Sequence, residues 1–267
     1  MSAQTLFAAG DLAGCLAQLQ TDVRRQPADG KLRVFLAQLL MVSGDWERAL
    51  TQLAVTAELE ASALPMLHAY SAAIQCERLR TQVFRGQRSP LVFGEPLPWI
   101  AGLLQALALQ ASDQAEQAAS LRSDALAAAT AVAGSLNGSE FEWVADADSR
   151  LGPVLEVFLN GAYYWAPFER IQRIVIEPPA DARDLVWVPA QLTWSNGGEA
   201  MGLIPTRYPG SELEVDDGIR LARKTQWQSL AGGQYAGLGQ RVLSSDTDEV
   251  GLLDVRELTL RCAAAAA

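Results

Sequence analysis

Asp146-Ala147-Asp148 is the strongest acidic constellation in the chain, with Glu140 and Glu142 before it and Arg150 just after. Two carboxylates two residues apart could hold a hard cation or share acid–base work on a bound substrate. A hydrolase of that kind needs a third ligand and a pocket, and the spacing supplies neither. The same residues also read as a capping and salt-bridging loop in which Arg150 neutralises one of the aspartates. His68, the single histidine, lies among Leu64, Leu67 and Tyr70, which fits a partly buried helix position better than a general base. Cys15, Cys76 and Cys262 are widely separated and odd in number. They read as idle thiols in a reducing compartment, and with one histidine they leave no Cys/His zinc site. Gly237-Leu238-Gly239 begins like a dinucleotide loop, but Val242 stands where the third glycine belongs. No phosphate-binding Gly-Lys-Ser/Thr loop and no Gly-x-Ser-x-Gly elbow occurs. The residues predict no catalytic centre, no metal and no cofactor.

Aromatic residues are the more informative group. Trp143, Tyr163, Tyr164, Trp165, Trp187 and Trp194 crowd one stretch of the chain. On a strand, successive side chains alternate, so Tyr163, Tyr164 and Trp165 cannot share one face. At least one of them must meet a second layer or a partner, and exposed aromatics on a rigid element are common anchors. Trp143, Asp146, Asp148, Arg150, Tyr163, Tyr164 and Trp165 are therefore the candidate protein-binding residues.

These residues follow a change of grammar near residue 138, at Gly134-Ser135-Leu136-Asn137-Gly138, a run of turn formers. Before it, alanine and leucine recur at helical spacing. Gly10-Asp11-Leu12 returns as Gly44-Asp45-Trp46, and Cys15, Leu16 and Leu19 return as Ala49, Leu50 and Leu53, an offset of about 34 residues, the tetratricopeptide period. Further helices are expected over 99–110 and 113–133, the latter with Asp113 and Glu116 as a capping box. After the joint come Val, Ile, Trp and Tyr in short runs with frequent Pro and Gly. Residues 154–159 and 162–165 around Asn160-Gly161 predict a hairpin with a type I′ turn. Pro189 predicts an edge or a bend, and residues 219–230 are open between helix and strand. The expected architecture is multi-domain α+β: a tetratricopeptide-like helical domain over 1–138, a small barrel-like, mainly β domain over 139–262, and Ala263–Ala267 as a tag or cloning scar.

The chain has 267 residues, a net charge of −10 and 49% apolar residues. That rules out global disorder and disfavours nucleic acid or anionic lipid as partner. Met1–Gly10 has no basic leader segment, and no apolar run reaches the roughly 20 residues of a membrane span. The expected location is the cytoplasm.

Several long phrases resemble the ImpE/TagJ family, accessory proteins of bacterial type VI secretion systems. They include Phe141-Glu142-Trp143-Val144-Ala145-Asp146-Ala147-Asp148-Ser149-Arg150-Leu151-Gly152-Pro153, Asn160-Gly161-Ala162-Tyr163-Tyr164-Trp165-Ala166-Pro167-Phe168 and Pro205-Thr206-Arg207-Tyr208-Pro209-Gly210-Ser211. Gly44-Asp45-Trp46-Glu47-Arg48-Ala49-Leu50 and Pro90-Leu91-Val92-Phe93-Gly94-Glu95-Pro96 in the first half are similar to it as well. The resemblance implies a non-enzymatic, two-domain protein that binds the N-terminal helix of the small contractile-sheath subunit. Through it the protein would be tied indirectly to sheath disassembly by an AAA+ ATPase. The bottom-up alternatives are a peptide-binding scaffold for another partner and a metal-dependent hydrolase using Asp146 and Asp148.

Overall fold

Two glycine–aspartate turns set the helical half. The computed structural model describes residues 1–95 and 97–261; Pro96, Cys262 and the alanine tail lie outside the described residues. Asp11 and Asp45 are the N-caps of α2 (Leu12–Arg25) and α4 (Trp46–Leu59), each accepting a hydrogen bond from an N–H of the first turn. Gly10 and Gly44 precede them with φ of 86° and 72°, a conformation that closes α1 (Ala3–Ala9) and the turn after α3 (Gly30–Val42). Cys15 and Ala49, the equivalent small residues, are fully buried. The 34-residue offset thus marks two successive helical hairpins, followed by the long α5 (Leu64–Phe84).

Residues 89–92 are extended, as Pro90 favours, and place β1 (Leu91–Val92) parallel to a strand of the second half. Helices α6 (Pro98–Ala111) and α7 (Ala115–Ala128) form a third antiparallel pair. The expected capping box is absent. Gln114 is the N-cap, without a side-chain hydrogen bond, because Asp113 adopts φ of 59° in the turn joining α6 to α7. The helix also ends five residues short of the expected 133, leaving an extended run into the sheet.

The second half contributes β2 (Gly134–Leu136), β3 (Ser139–Phe141), β4 (Val144–Asp146), β5 (Val154–Leu159), β6 (Ala162–Pro167), β7 (Ile171–Ile176), β8 (Trp187–Trp194) and β9 (Glu199–Pro205). The short helix α8 (Asp217–Arg220) leads to β10 (Thr225–Ser229), β11 (Tyr235–Gly239), β12 (Val242–Ser245), β13 (Glu249–Gly251) and β14 (Glu257–Leu260). The undecided stretch 219–230 is therefore both helix and strand. Asn160 and Gly161 have φ of 49° and 77°, as a type I′ turn requires, and β5 and β6 pair through it in register.

A barrel is not formed. Nine strands make one open sheet in the order β1-β6-β5-β9-β8-β7-β14-β2-β3, with β10-β11 and β13-β12-β4 as separate small sheets. Closure needs the end strands to meet; here they are the two-residue β1 and the three-residue β3, at opposite edges. Pro189 is not at an edge: it lies within β8, between β7 and β9, one residue beyond the last β7 pair, Ile176 with Ala190.

The sheet is buried on both faces. On β5, Val154 and Phe158 join the core shared with the helices, while Leu155, Val157 and Leu159 join a second core on the opposite face. Tyr163 and Trp165 face the helices, and Tyr164 faces the other way, against Phe93. The alternation predicted for this triplet is met by two layers of the same molecule.

Candidate functional site

Glu156 occupies the helix-facing position between Val154 and Phe158 and is fully buried. Arg80, on α5, approaches from the helical side and donates from Nε and Nη2 to its two carboxylate oxygens at 2.8 Å each. The remaining guanidinium nitrogen reaches Glu77 at 2.9 Å, whose second oxygen accepts the indole N–H of Trp187 at 2.8 Å. Tyr163 donates its hydroxyl hydrogen to Glu156 and accepts the Trp165 indole N–H at 2.7 Å. Arg241 links Glu156, at 3.3 Å, to Asp146, which it holds from Nε and Nη2 at 2.9 and 2.7 Å. Asp146 also accepts from the Tyr208 hydroxyl and from the Asp148 N–H, both at 2.9 Å.

Asp148 receives Arg150 through Nε and Nη2 and the Gly237 N–H at 2.9 Å. Arg207, only 4% exposed, donates to the carbonyls of Val42 and Arg220, the last residues of α3 and α8. One guanidinium thus closes two helix C-termini, where unsatisfied carbonyls collect negative potential. Three guanidinium groups (Arg80, Arg150, Arg241) pair with four carboxylates (Glu77, Asp146, Asp148, Glu156), while Arg207 spends its charge on main-chain carbonyls.

Electrostatics follow from that geometry. Arg80 holds the Glu156 carboxyl below the usual carboxylate range despite its burial. Burial pushes Asp146 up to about 6, outweighing the attraction of Arg241. Burial likewise pushes the thiols of Cys15 and Cys76 up to about 11, which leaves them unreactive at neutral pH.

The structure brings Asp146, Asp148, Arg150, Tyr163 and Trp165 into one interior network; Tyr164 lies on the opposite face of the sheet and Trp143 on the surface. Asp146 and Asp148 point into arginines and N–H donors, and among the described residues no cluster of three or more acidic, His or Cys side chains is placed to hold a metal. His68 is exposed rather than partly buried. Gly237 lies under the Tyr208 ring, which a Cβ would meet at 2.2 Å. Its N–H is committed to Asp148, so the glycine pair serves close packing. Sequence reasoning missed Arg80, Glu77, Glu156, Arg207, Tyr208 and Arg241. The available signal was Glu156 itself, a lone charge in the run Val-Leu-Glu-Val-Phe-Leu.

Two surface depressions accompany the network. One, of about 620 Å³, is lined by Phe7 of α1, Val34, Phe35 and Gln38 of α3 and Met66 of α5, has Lys31 and Glu60 in its lining, and is walled by Ala180–Ala182. The other, of about 380 Å³, lies between the end of α7 and β4, lined by Leu126, Ala129, Val144, Ala147 and Pro153, with Trp143 in its wall. Trp143 is 40% exposed.

Fold and interior define an α+β protein in which paired helices are riveted to an open mixed sheet by buried ion pairs. The ImpE protein family model matches residues 138–259. The chain is 50% identical to the type VI secretion system accessory component TagJ of Pseudomonas aeruginosa, over 97% of this chain and 90% of that protein. A crystal structure of a Vibrio parahaemolyticus protein superposes with a TM-score of 0.88 over 98% of both chains at 24% identity, a likeness of fold. This chain belongs to the ImpE/TagJ family. No described helix is long and apolar enough to cross a membrane.

Proposed function

We propose that this protein is a non-enzymatic accessory component of a type VI secretion system, acting in the cytoplasm. In this reading it binds the N-terminal helix of the small contractile-sheath subunit and assists sheath assembly and its disassembly by the AAA+ ATPase. The observation that carries the accessory role is the half-identity to TagJ along nearly the whole chain. The commitment of the interior acids and bases to one another supports a binding rather than a catalytic role.

For the partner helix we favour the depression on the helical hairpins. An amphipathic helix presents anchors at i, i+3, i+4 and i+7, and Phe7, Val34, Phe35 and Met66 offer a matching apolar floor. A second reading places the helix at Trp143, favoured by the exposure of that indole beside an apolar cleft; Asp146, Asp148, Arg150, Tyr163 and Trp165 would then hold the cleft's shape from beneath. Both are tested by mixing the full chain with the small sheath subunit, with and without its N-terminal helix. Complex formation that requires the helix is expected. Val34→Lys should abolish it without lowering the melting temperature, whereas loss on Trp143→Lys alone would move the site to the seam. No helix-dependent complex with the wild-type chain would reject the proposal.

A further inference from the structure

The sheet edges of this molecule are short, with one exception. Among the described residues β1 offers two residues, while β3 and β13 offer three each and carry Glu140 and Glu249. The outer side of β4 is closed by the Asp146 N–H bonded to the Gly152 carbonyl at 2.7 Å. Strand β10 offers five residues, Thr-Gln-Trp-Gln-Ser, and pairs only with β11. Leu230 N–H bonds to the Gln234 carbonyl and Gln240 N–H to the Lys224 carbonyl, so the even-numbered residues serve β11. Thr225, Trp227 and Ser229 therefore turn their N–H and C=O groups to the open side. No described hydrogen bond takes up those N–H groups. Residues 226–229 are all exposed, and Trp227 (37%), Tyr235 (48%) and Val215 (97%) leave apolar surface nearby.

Natural edges are blunted by Lys, Pro, bulges or shortness, and β10 has none of these within it. The strand is also close to symmetric about its centre. An antiparallel pairing around a two-fold axis at Trp227 sets Trp227 against Trp227, Gln226 of one copy against Gln228 of the other, and Thr225 against Ser229. The three outward pairs would exchange about six main-chain hydrogen bonds. In a chain of net charge −10, an uncharged strand lets two copies approach without opposing carboxylates. We propose that β10 is a self-association edge: two copies join β10 to β10 and form a continuous four-stranded antiparallel sheet, an isologous dimer. The inference is independent of the sheath-binding reading. So short an edge makes a reversible dimer, with a Kd on the order of tens of micromolar.

Sedimentation velocity on the full chain from about 1 to about 300 µM tests this. Wild type should shift from monomer to dimer across the range. Ser229→Pro removes an outward N–H and should weaken dimerisation at least about tenfold. Gln226→Lys with Gln228→Lys sets like charges across the axis and should do the same. Gln226→Glu with Gln228→Lys sets opposite charges across it and should restore the dimer. Melting temperatures near wild type show that the variants are folded; if the proline variant is not, the charge variants decide. A wild type that stays monomeric at every concentration overturns the proposal, as does a dimer that the paired lysines leave intact.

Discussion

Glu156 shows what one residue can fix. It is a carboxylate in the middle of a strand whose other members are apolar, and it is stable there because Arg80, Arg241 and Tyr163 converge on it. Removing it leaves two buried guanidinium groups short of a counter-charge, so Glu156→Ala should cost about 3–5 kcal/mol in urea unfolding. A pH titration of stability reads two neighbours of opposite sign. Asp146 has its pKa raised from 3.8 to about 6, so the folded state binds more protons than the unfolded state between those values, and stability falls as pH rises through that window. Glu156 is held below the ordinary glutamate value of 4.5 by Arg80, so its contribution is complete above that value and is lost as pH falls below it. Together they predict a stability maximum at about pH 4–4.5, with a decline from there to about pH 6. Asp146→Asn should flatten the limb above it, and thermal melts across pH check this. At this scale the sequence was only partly legible. The Asp148–Arg150 pair is local and readable; the partners of Glu156 and Asp146 come from α5 and from the residue between β11 and β12, and no spacing rule reaches that far.

Elements were legible where the deciding forces are local. Asp11 and Asp45 cap their helices with their own side chains, and Asn160-Gly161 sets its turn by φ alone. Replacing either cap by Ala should therefore lower stability by about 1 kcal/mol. The double variant should lose about twice that in chemical denaturation, since the two caps share no contact. Elements were misread where tertiary pairing decides. Nothing local in Asp113 announces a left-handed turn, which the antiparallel docking of α7 on α6 imposes. Pro189 reads as an edge residue because proline cannot donate, yet β8 tolerates it just past the end of the β7 ladder. The open sheet escaped detection for the same reason: strand lengths and turns were readable, but which strands stand at the ends was not.

On the scale of the molecule, the joint near residue 138 divides composition more sharply than it divides structure. Strand β1 comes from the helical half, β2 lies before the joint, and Arg80 anchors Glu156 across it. A fragment starting at residue 139 should thus give a collapsed, poorly dispersed amide spectrum, and co-expression with residues 1–138 should restore a dispersed one. The order of manufacture sharpens the point. Arg80 leaves the ribosome 76 residues before Glu156. At translation rates of about 5–20 residues per second it waits about 4–15 s for its counter-ion. Through that interval Glu77, one turn earlier on α5, is the partner already at hand for a guanidinium on the surface destined to be innermost.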